Sequence, residues 1–309
     1  MRRCVVFAYH DIGYVGLQCL LELGAEIPFV ITHEDDPKET IWFRSVRALA
    51  EQHHLPVFAP ANVNTPDWVG RIEATQPDFL FSFYYRRLLG APLLATARRG
   101  ALNLHGSLLP RYRGRCPVNW VLIHDERETG VTLHYMTEKP DAGDIVAQRA
   151  VPIDDSDTAW SLFQKLTAAA AALLRDTLPA LFAGSAPRIP QDPSRASYFG
   201  GRRPEDGRID WHWPARKVFN LVRAVTHPYP GAFAHFRGAP VFVWKASPVG
   251  VALPRQAVPG EVLGAQPELV VACGSGAVRL DSVSDADGAE LSGAEWAARK
   301  HLSLGDRFE

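Results

Sequence analysis

Two polar side chains interrupt an apolar run at one point in this chain, Asn103 and His105 in "GALNLHGS". Alternate residues of a strand share a face, so the pair points to one side. Gly106 and Ser107 follow at once, which places the pair where a strand gives way to a loop. An amide N–H aimed at a developing oxyanion is worth ~3 kcal/mol in acyl transfer. An imidazole carries protons near neutral pH. Asp141, in "EKPDAGDI", reads by itself as a turn residue. Brought beside His105, its carboxylate would stabilise the protonated ring. Together the three groups suggest acyl-type transfer without a covalent intermediate. No G-x-S-x-G elbow is present and Ser107 has no base of its own, so a serine hydrolase is disfavoured.

Beyond this pair runs "SLLPRYRGRCP", where Arg111, Arg113 and Arg115 are mixed with Tyr112, Gly114 and Pro117. That mixture reads as a clamp for an anionic ligand. Ser107, Tyr112 and Arg113 on this loop are candidates for contact with a substrate. In "FSFYYRRLL", Phe81 and Phe83 read as core, and Tyr84 to Leu89 as part of the same sheet edge. "YHDIGYVG" has only Gly13 and Gly16 where a dinucleotide fingerprint needs G-x-G-x-x-G, so it reads as a tight strand-to-helix turn. Trp211, Trp213 and Trp244 read as core or domain-interface residues.

Strand-like and helix-like pieces alternate through the first half. Strands are expected at residues 3–9, 27–32, 57–59 and at "FLFSFYY" and "ALNLHG". Helices are expected at 13–23, 42–54 and 66–75. Apolar strands separated by helices imply a parallel sheet covered on both faces. "TGVTLHYM" and "GDIVAQRAVPI" then give two more strands joined by a turn-rich link. A long helix from about Asp157 has Trp160, Phe163, Leu166, Leu173, Leu174, Leu178 and Leu181 on its apolar face. Residues 185–208 are rich in Pro, Ser, Arg and Gly. Beyond them a helix near 215–225 and several short strands suggest a small β-barrel. The fold class expected is therefore α/β: a Rossmann-like, mostly parallel sheet over 1–190, a linker over 191–208, and an OB-like β-barrel domain over 209–309.

The chain has 309 residues, a formal net charge of −1 and four cysteines. The neutral balance argues against a domain that grips nucleic acid. The cysteines make no CxxC pair or zinc-finger spacing and read as reduced thiols. The first apolar run is too short for a signal-peptide core, and Arg175, Asp176 and Pro179 interrupt the most apolar helix, so no membrane span is expected and the cytoplasm is the expected compartment.

"LNLHGSLLPRYRGRCPVNW" together with "ETGVTLHYMTEKPDAGDIV" resembles the signature of the enzymes that transfer a formyl group from 10-formyltetrahydrofolate. The pieces "VVFAYHDIG", "FSFYYR", "FGGRRPEDGRIDWH" and "VRAVTHPYPGAF" resemble the branch found as one half of a bifunctional polymyxin-resistance enzyme of lipid A modification, which formylates UDP-4-amino-4-deoxy-L-arabinose. The resemblance runs from the first strand to about residue 280. It implies Asn103, His105 and Asp141 as the catalytic set. It implies a folate site over Arg87, Leu88 and Leu89, with Arg115 and the segment Thr137, Glu138, Lys139, Pro140 and Asp141. It implies no metal. The bifunctional enzyme also decarboxylates a nucleotide sugar through NAD. This sequence carries no such fingerprint, so a separate decarboxylase chain is expected. The enzyme that formylates methionyl initiator tRNA shares the same motifs, but carries a basic insertion where "THEDDPKETIWFRS" is short and begins acidic.

Overall fold

The computed structural model describes residues 2–37, 40–250 and 257–309. The chain divides into two compact units. The first holds residues 1–117, 128–152 and 163–200, and the second 118–127, 153–162 and 201–309. The second unit thus takes in two stretches well before the Pro-rich segment, so the units do not part at one cut.

In the first unit the order is β1 Cys4–Ala8, α1 His10–Glu22, β2 Val30–Ile31, α2 Val46–Gln52, β3 Val57–Phe58, α3 Pro66–Ala74, β4 Phe79–Phe83, α4 Ala91–Leu94, β5 Gly100–His105 and β6 Arg113–Gly114. After α5 (Pro117–Ile123) come β7 Glu128–Tyr135, β8 Ile145–Pro152, α6 Ala159–Ala183 and β9 Tyr198–Phe199. The main sheet has the order β3-β2-β1-β4-β5-β7-β8. Its first five strands pair in parallel, and β7 and β8 close it antiparallel, giving the mostly parallel α/β sheet expected.

Both faces of the sheet are covered. On one, Val5, Phe7, Leu80 and Ala101 pack with Ile72 of α3 and Leu93 of α4. On the other, Phe79 stacks on Phe182 of α6, and Gly16 of α1 lies so close that an added Cβ would fall 2.4 Å from the Phe83 ring. Close helix-to-sheet packing is thus what the glycine of "YHDIGYVG" serves. Two helices differ from expectation at their starts. α1 begins at His10, directly after the strand. α2 begins only at Val46, because Ser45 caps it through the Ala48 N–H at 3.1 Å, while Trp42 and Phe43 turn aside to pack on His10. α6 is long and apolar enough, by length and composition, to cross a membrane. Its Leu162, Phe163, Leu166, Leu174 and Leu178 are nevertheless almost wholly buried in protein, as in a core helix.

The second unit carries α7 Ala215–Val225, then β10 Ala232–Phe236, β11 Ala239–Val249, β12 Val262–Gly264, β13 Val270–Ala272, β14 Ala277–Asp285, β15 Leu291–Ser292 and α8 Gly293–Arg299. Its strands form an antiparallel sheet of order β10-β11-β14-β13-β12, with β15 on β14. Trp296, Phe236 and Phe308 make an aromatic core with ring centroids 5.2–5.9 Å apart. Trp211 is buried in this unit, whereas Trp244 stacks on His227 at 3.9 Å.

Candidate active site

Register brings the polar groups together. β5 and β7 run antiparallel with Asn103 opposite His134 and His105 opposite Thr132, so these four side chains share one face at the carboxyl end of β5. Asp141 reaches the same point from the turn after β7. Its backbone is in the left-handed region at φ 54°, a conformation that Asp tolerates better than most residues.

His105 is buried and has an acceptor at each ring nitrogen. Its Nε2 lies 2.7 Å from the Tyr112 carbonyl, and its Nδ1 lies 3.6 Å from Asp141 Oδ1. An imidazolium satisfies both contacts. Asp141 Oδ2 accepts the Gly114 N–H at 2.8 Å. Burial opposes ionisation of Asp141, but the His105 ring and the Gly114 N–H outweigh it. The carboxyl is held well below the usual carboxylate range and stays charged. Asn103 Nδ2 lies 3.1 Å from His134 Nε2 and 3.5 Å from Asp141 Oδ1. An amide donor, an imidazole and a carboxylate therefore converge where open α/β sheets bind ligands. The set can steady an oxyanion, move a proton and sustain positive charge on the ring.

The surrounding loop is fastened by residues the sequence did not single out. Gln191 donates to the Asp141 and Gly143 carbonyls at 2.9 and 2.7 Å, and accepts from Arg113 at 2.6 Å. Ser197 Oγ accepts the Tyr112 N–H at 2.9 Å, and β9 pairs in parallel with β6. So residues 191–200, expected as part of a linker, fall in the first unit and hold the site loop through the Gln191 and Ser197 side chains and through backbone hydrogen bonds at residues 197–199. Thr132 adds support: its hydroxyl donates to the Ser107 carbonyl at 2.6 Å and accepts the Leu109 N–H at 3.2 Å.

The loop candidates divide by burial. Ser107 is fully buried, and its hydroxyl faces the Arg111 and Tyr112 carbonyls at 2.7 and 3.2 Å. Tyr112 is buried with its ring stacked on Phe199 at 5.0 Å. Arg113 is buried against Gln191, whereas Arg111 and Arg115 are exposed. Arg113 thus braces the loop, and a clamp for an anion would draw on the other two. Arg87 donates to the Pro60 and Ala61 carbonyls, Leu88 is exposed, and Leu89 joins the core. Thr137 donates to the Lys139 carbonyl at 2.9 Å, and Thr137, Glu138 and Lys139 are exposed beside half-buried Pro140.

A separate hollow of about 60 Å³ lies at the carboxyl ends of β1 and β2, lined by Tyr9, His10, Thr32, His33 and Phe43 among others. Ligand pockets usually run to about 300–1,000 Å³, so it is too small to hold a nucleotide sugar by itself. Its acidic rim is paired: Glu34 with Arg47 at 2.7 Å, and Asp35 with the Tyr9 hydroxyl at 2.8 Å. Part of the "THEDDPKETIWFRS" segment, Lys38 and Glu39, lies outside the described residues. Among the described residues no group of His, Cys, Asp and Glu side chains is arranged to hold a metal ion.

A donor amide, an imidazole and a largely buried carboxylate meet at this sheet edge, a set suited to acyl transfer. The chain belongs to the formyl transferase family: the formyl transferase model matches residues 17–178 and the formyl transferase C-terminal domain matches residues 202–301. Solved structures share the fold. WlaRD, a sugar 3N-formyl transferase determined with dTDP and 5-N-formyl-THF, is 18% identical at TM-score 0.70, over 94% of this chain and 99% of that one. An N-formyltransferase from Helicobacter canadensis, in complex with folinic acid and dTDP-3-aminofucose, is 18% identical at TM-score 0.70, over 91% and 98%. HypX from Aquifex aeolicus, in complex with tetrahydrofolic acid, is 20% identical at TM-score 0.64; the match takes in 99% of this chain and spans 48% of HypX.

Proposed function

We propose that this protein transfers a formyl group from 10-formyltetrahydrofolate to the 4-amino group of UDP-4-amino-4-deoxy-L-arabinose, in the cytoplasm, for lipid A modification and polymyxin resistance. The observation that carries the reading is the meeting of Asn103, His105 and Asp141 at the carboxyl end of β5 in a formyl transferase. The neighbours determined with folates and dTDP-linked ligands support a folate donor and a nucleotide-linked amino sugar as acceptor.

In this reading the sugar amine attacks the formyl carbon and a tetrahedral intermediate forms. An Asn103 N–H and the His105 imidazolium steady its oxyanion. The new C–N bond stays and the bond to the folate nitrogen breaks. The proton lost by the amine passes to that nitrogen by way of His105, whose positive charge Asp141 sustains. Holding donor and acceptor together supplies much of the remaining acceleration. Arg87, Leu88, Leu89, Arg115 and Thr137 to Asp141 would line the folate site, with the acceptor near the Tyr112 loop. A separate nucleotide-sugar decarboxylase would act earlier in the same pathway.

The test is formyl transfer from 10-formyltetrahydrofolate to three acceptors, read by mass spectrometry: UDP-4-amino-4-deoxy-L-arabinose, dTDP-3-amino sugars and initiator methionyl-tRNA. Formylation of the UDP sugar is expected. Reaction with only the dTDP sugars overturns the sugar assignment, and efficient reaction with the tRNA overturns the sugar class.

A further inference from the structure

We infer that His134 is a positioning residue that sets which way the Asn103 amide faces. The inference rests on the reading above, in which an Asn103 N–H steadies the oxyanion. His134 is 1% exposed and lies opposite Asn103 in the β5–β7 register. Its Nδ1 is 2.9 Å from the Tyr135 carbonyl, which can only accept, so Nδ1 carries a proton. In the neutral ring Nε2 is then bare and accepts. The Asn103 amide nitrogen is what faces it, at 3.1 Å.

A second contact fixes the same orientation. Asp141 Oδ1, a carboxylate oxygen and so only an acceptor, is 3.5 Å from that amide nitrogen. Turning the amide over would set its carbonyl oxygen against two acceptors. As placed, one N–H is spent on His134. The other points toward Asp141 Oδ1 at a distance too long for a firm bond. That oxygen is also 3.6 Å from His105 Nδ1, so the loosely held N–H and the imidazole converge on one place. A carbonyl oxygen gaining negative charge there competes for a donor that is already aimed. Without the His134 acceptor the amide can turn and present its oxygen, which repels the oxyanion. His105 and Asp141 are the charged or titratable groups of this cluster that face Asn103 and His134.

The experiment is a double-mutant cycle on the enzyme, with kcat, both KM values and melting temperature measured for His134→Phe, His134→Gln, Asn103→Ala and the pair Asn103→Ala with His134→Phe. We expect His134→Phe to lower kcat by about 10- to 100-fold, with KM for each substrate within about twofold, since an interaction made only in the transition state is lost. His134→Gln, which returns an acceptor oxygen, should recover activity to within about fivefold of wild type. On the Asn103→Ala background, His134→Phe should cost nothing more, because residues acting through one another are non-additive. Nitrogen NMR of the folded protein should show the His134 proton on Nδ1 and a bare Nε2. Full additivity with Asn103→Ala, unchanged kcat in His134→Phe, failure of His134→Gln to recover activity, or a proton on Nε2 overturns the inference. If Asn103→Ala itself turns over like wild type, the oxyanion role fails first, and this inference with it.

Discussion

Two polar clusters in this protein hold their charges in opposite ways. In the second unit, Arg216 donates to Asp125 at 2.7 and 2.9 Å and to Asp155 at 2.8 Å, and Arg127 reaches Asp155 at 2.7 Å. Arg223, 4% exposed, donates to Asn220 Oδ1 and the Asp154 carbonyl, both at 2.9 Å, with Asp125 at 3.6 Å. Its carboxylates meet guanidinium groups that cannot give up a proton at any ordinary pH. Hydrogen bonds from Arg216 and Arg127 hold the Asp155 carboxyl well below its usual range. In the first unit, the single carboxylate of Asp141 is held by a backbone N–H and faces two imidazoles. An imidazole, unlike a guanidinium, can give up and take back a proton. The contrast separates a brace from the proposed reactive centre: what matters is whether the charge partners can exchange protons, since both clusters depress a carboxyl.

The sharpest way to break that contrast is to remove one group from each cluster. His105→Ala and Asp141→Asn should each lower kcat by about 10²–10⁴, with the fold retained. Turnover within tenfold of wild type in either variant, with circular dichroism unchanged, would remove that residue from the chemistry. Asp141→Asn also tests the charge through pH. The folded Asp141 carboxyl lies below its unfolded value, so its stabilisation is complete above about pH 4 and is lost as pH falls further. Wild type should lose stability through that window faster than Asp141→Asn in acid titrations followed by fluorescence.

Gly114→Ala should come next, and it should cost both activity and stability. Gly114 sits at φ 98°, and an added Cβ would lie 2.2 Å from the Phe199 carbonyl oxygen. Strain of this kind costs about 1–3 kcal/mol, and relieving it moves the N–H that holds Asp141. We expect roughly a tenfold loss of kcat together with a lower midpoint in urea. A variant destabilised but fully active would uncouple the loop from the site.

Arg223→Met should act on stability alone. It leaves the Asp154 carbonyl and Asn220 without their donor, at about 1–3 kcal/mol, while kcat at 25 °C stays within twofold. The smallest effect belongs to Arg216→Met. Its partners are partly exposed, Asp125 at 35% and Asp155 at 58%, and surface pairs are worth about 0–1 kcal/mol. The difference from wild type should shrink further in 1 M salt. A salt-independent loss would mean the brace is better buried than its exposure indicates.

Much of the reactive cluster was legible in the sequence because it obeys a local rule. Asn103 and His105 alternate at the end of one strand, and period two is visible in a single line of residues. His134 was not legible, although it is as near to Asn103 as Asp141 is. Its place depends on the register of β7 against β5, and no local pattern records which residue falls opposite which. Gln191 was missed for a different reason. Pro, Ser and Gly in residues 185–208 read as a linker, but composition does not distinguish a free segment from one pinned by backbone hydrogen bonds, as residues 197–199 are to residues 110–115. Arg113 shows the converse: its neighbours suggested an anion clamp, and only burial reveals that it braces Gln191. Strand and helix order in the first unit came through well, since buried parallel strands are short apolar runs. The assignment of residues 118–127 and 153–162 to the second unit did not, because chain continuity hides which unit a segment packs in.

The pairing of β9 with β6 has a consequence for the order in which the site comes into being. A ribosome working from the N-terminus has made Asn103, His105, His134 and Asp141 long before it makes Gln191, Ser197 and Phe199. Until those later residues emerge, the Asp141 carbonyl lacks its Gln191 donor, the Tyr112 N–H lacks the Ser197 hydroxyl, and the Arg115 N–H lacks the Phe199 carbonyl. A nascent chain that has folded only as far as the end of α6 therefore carries every proposed reacting group without the fastening that aims them. The proposed site is thus fastened late in synthesis, when residues 191–199 arrive.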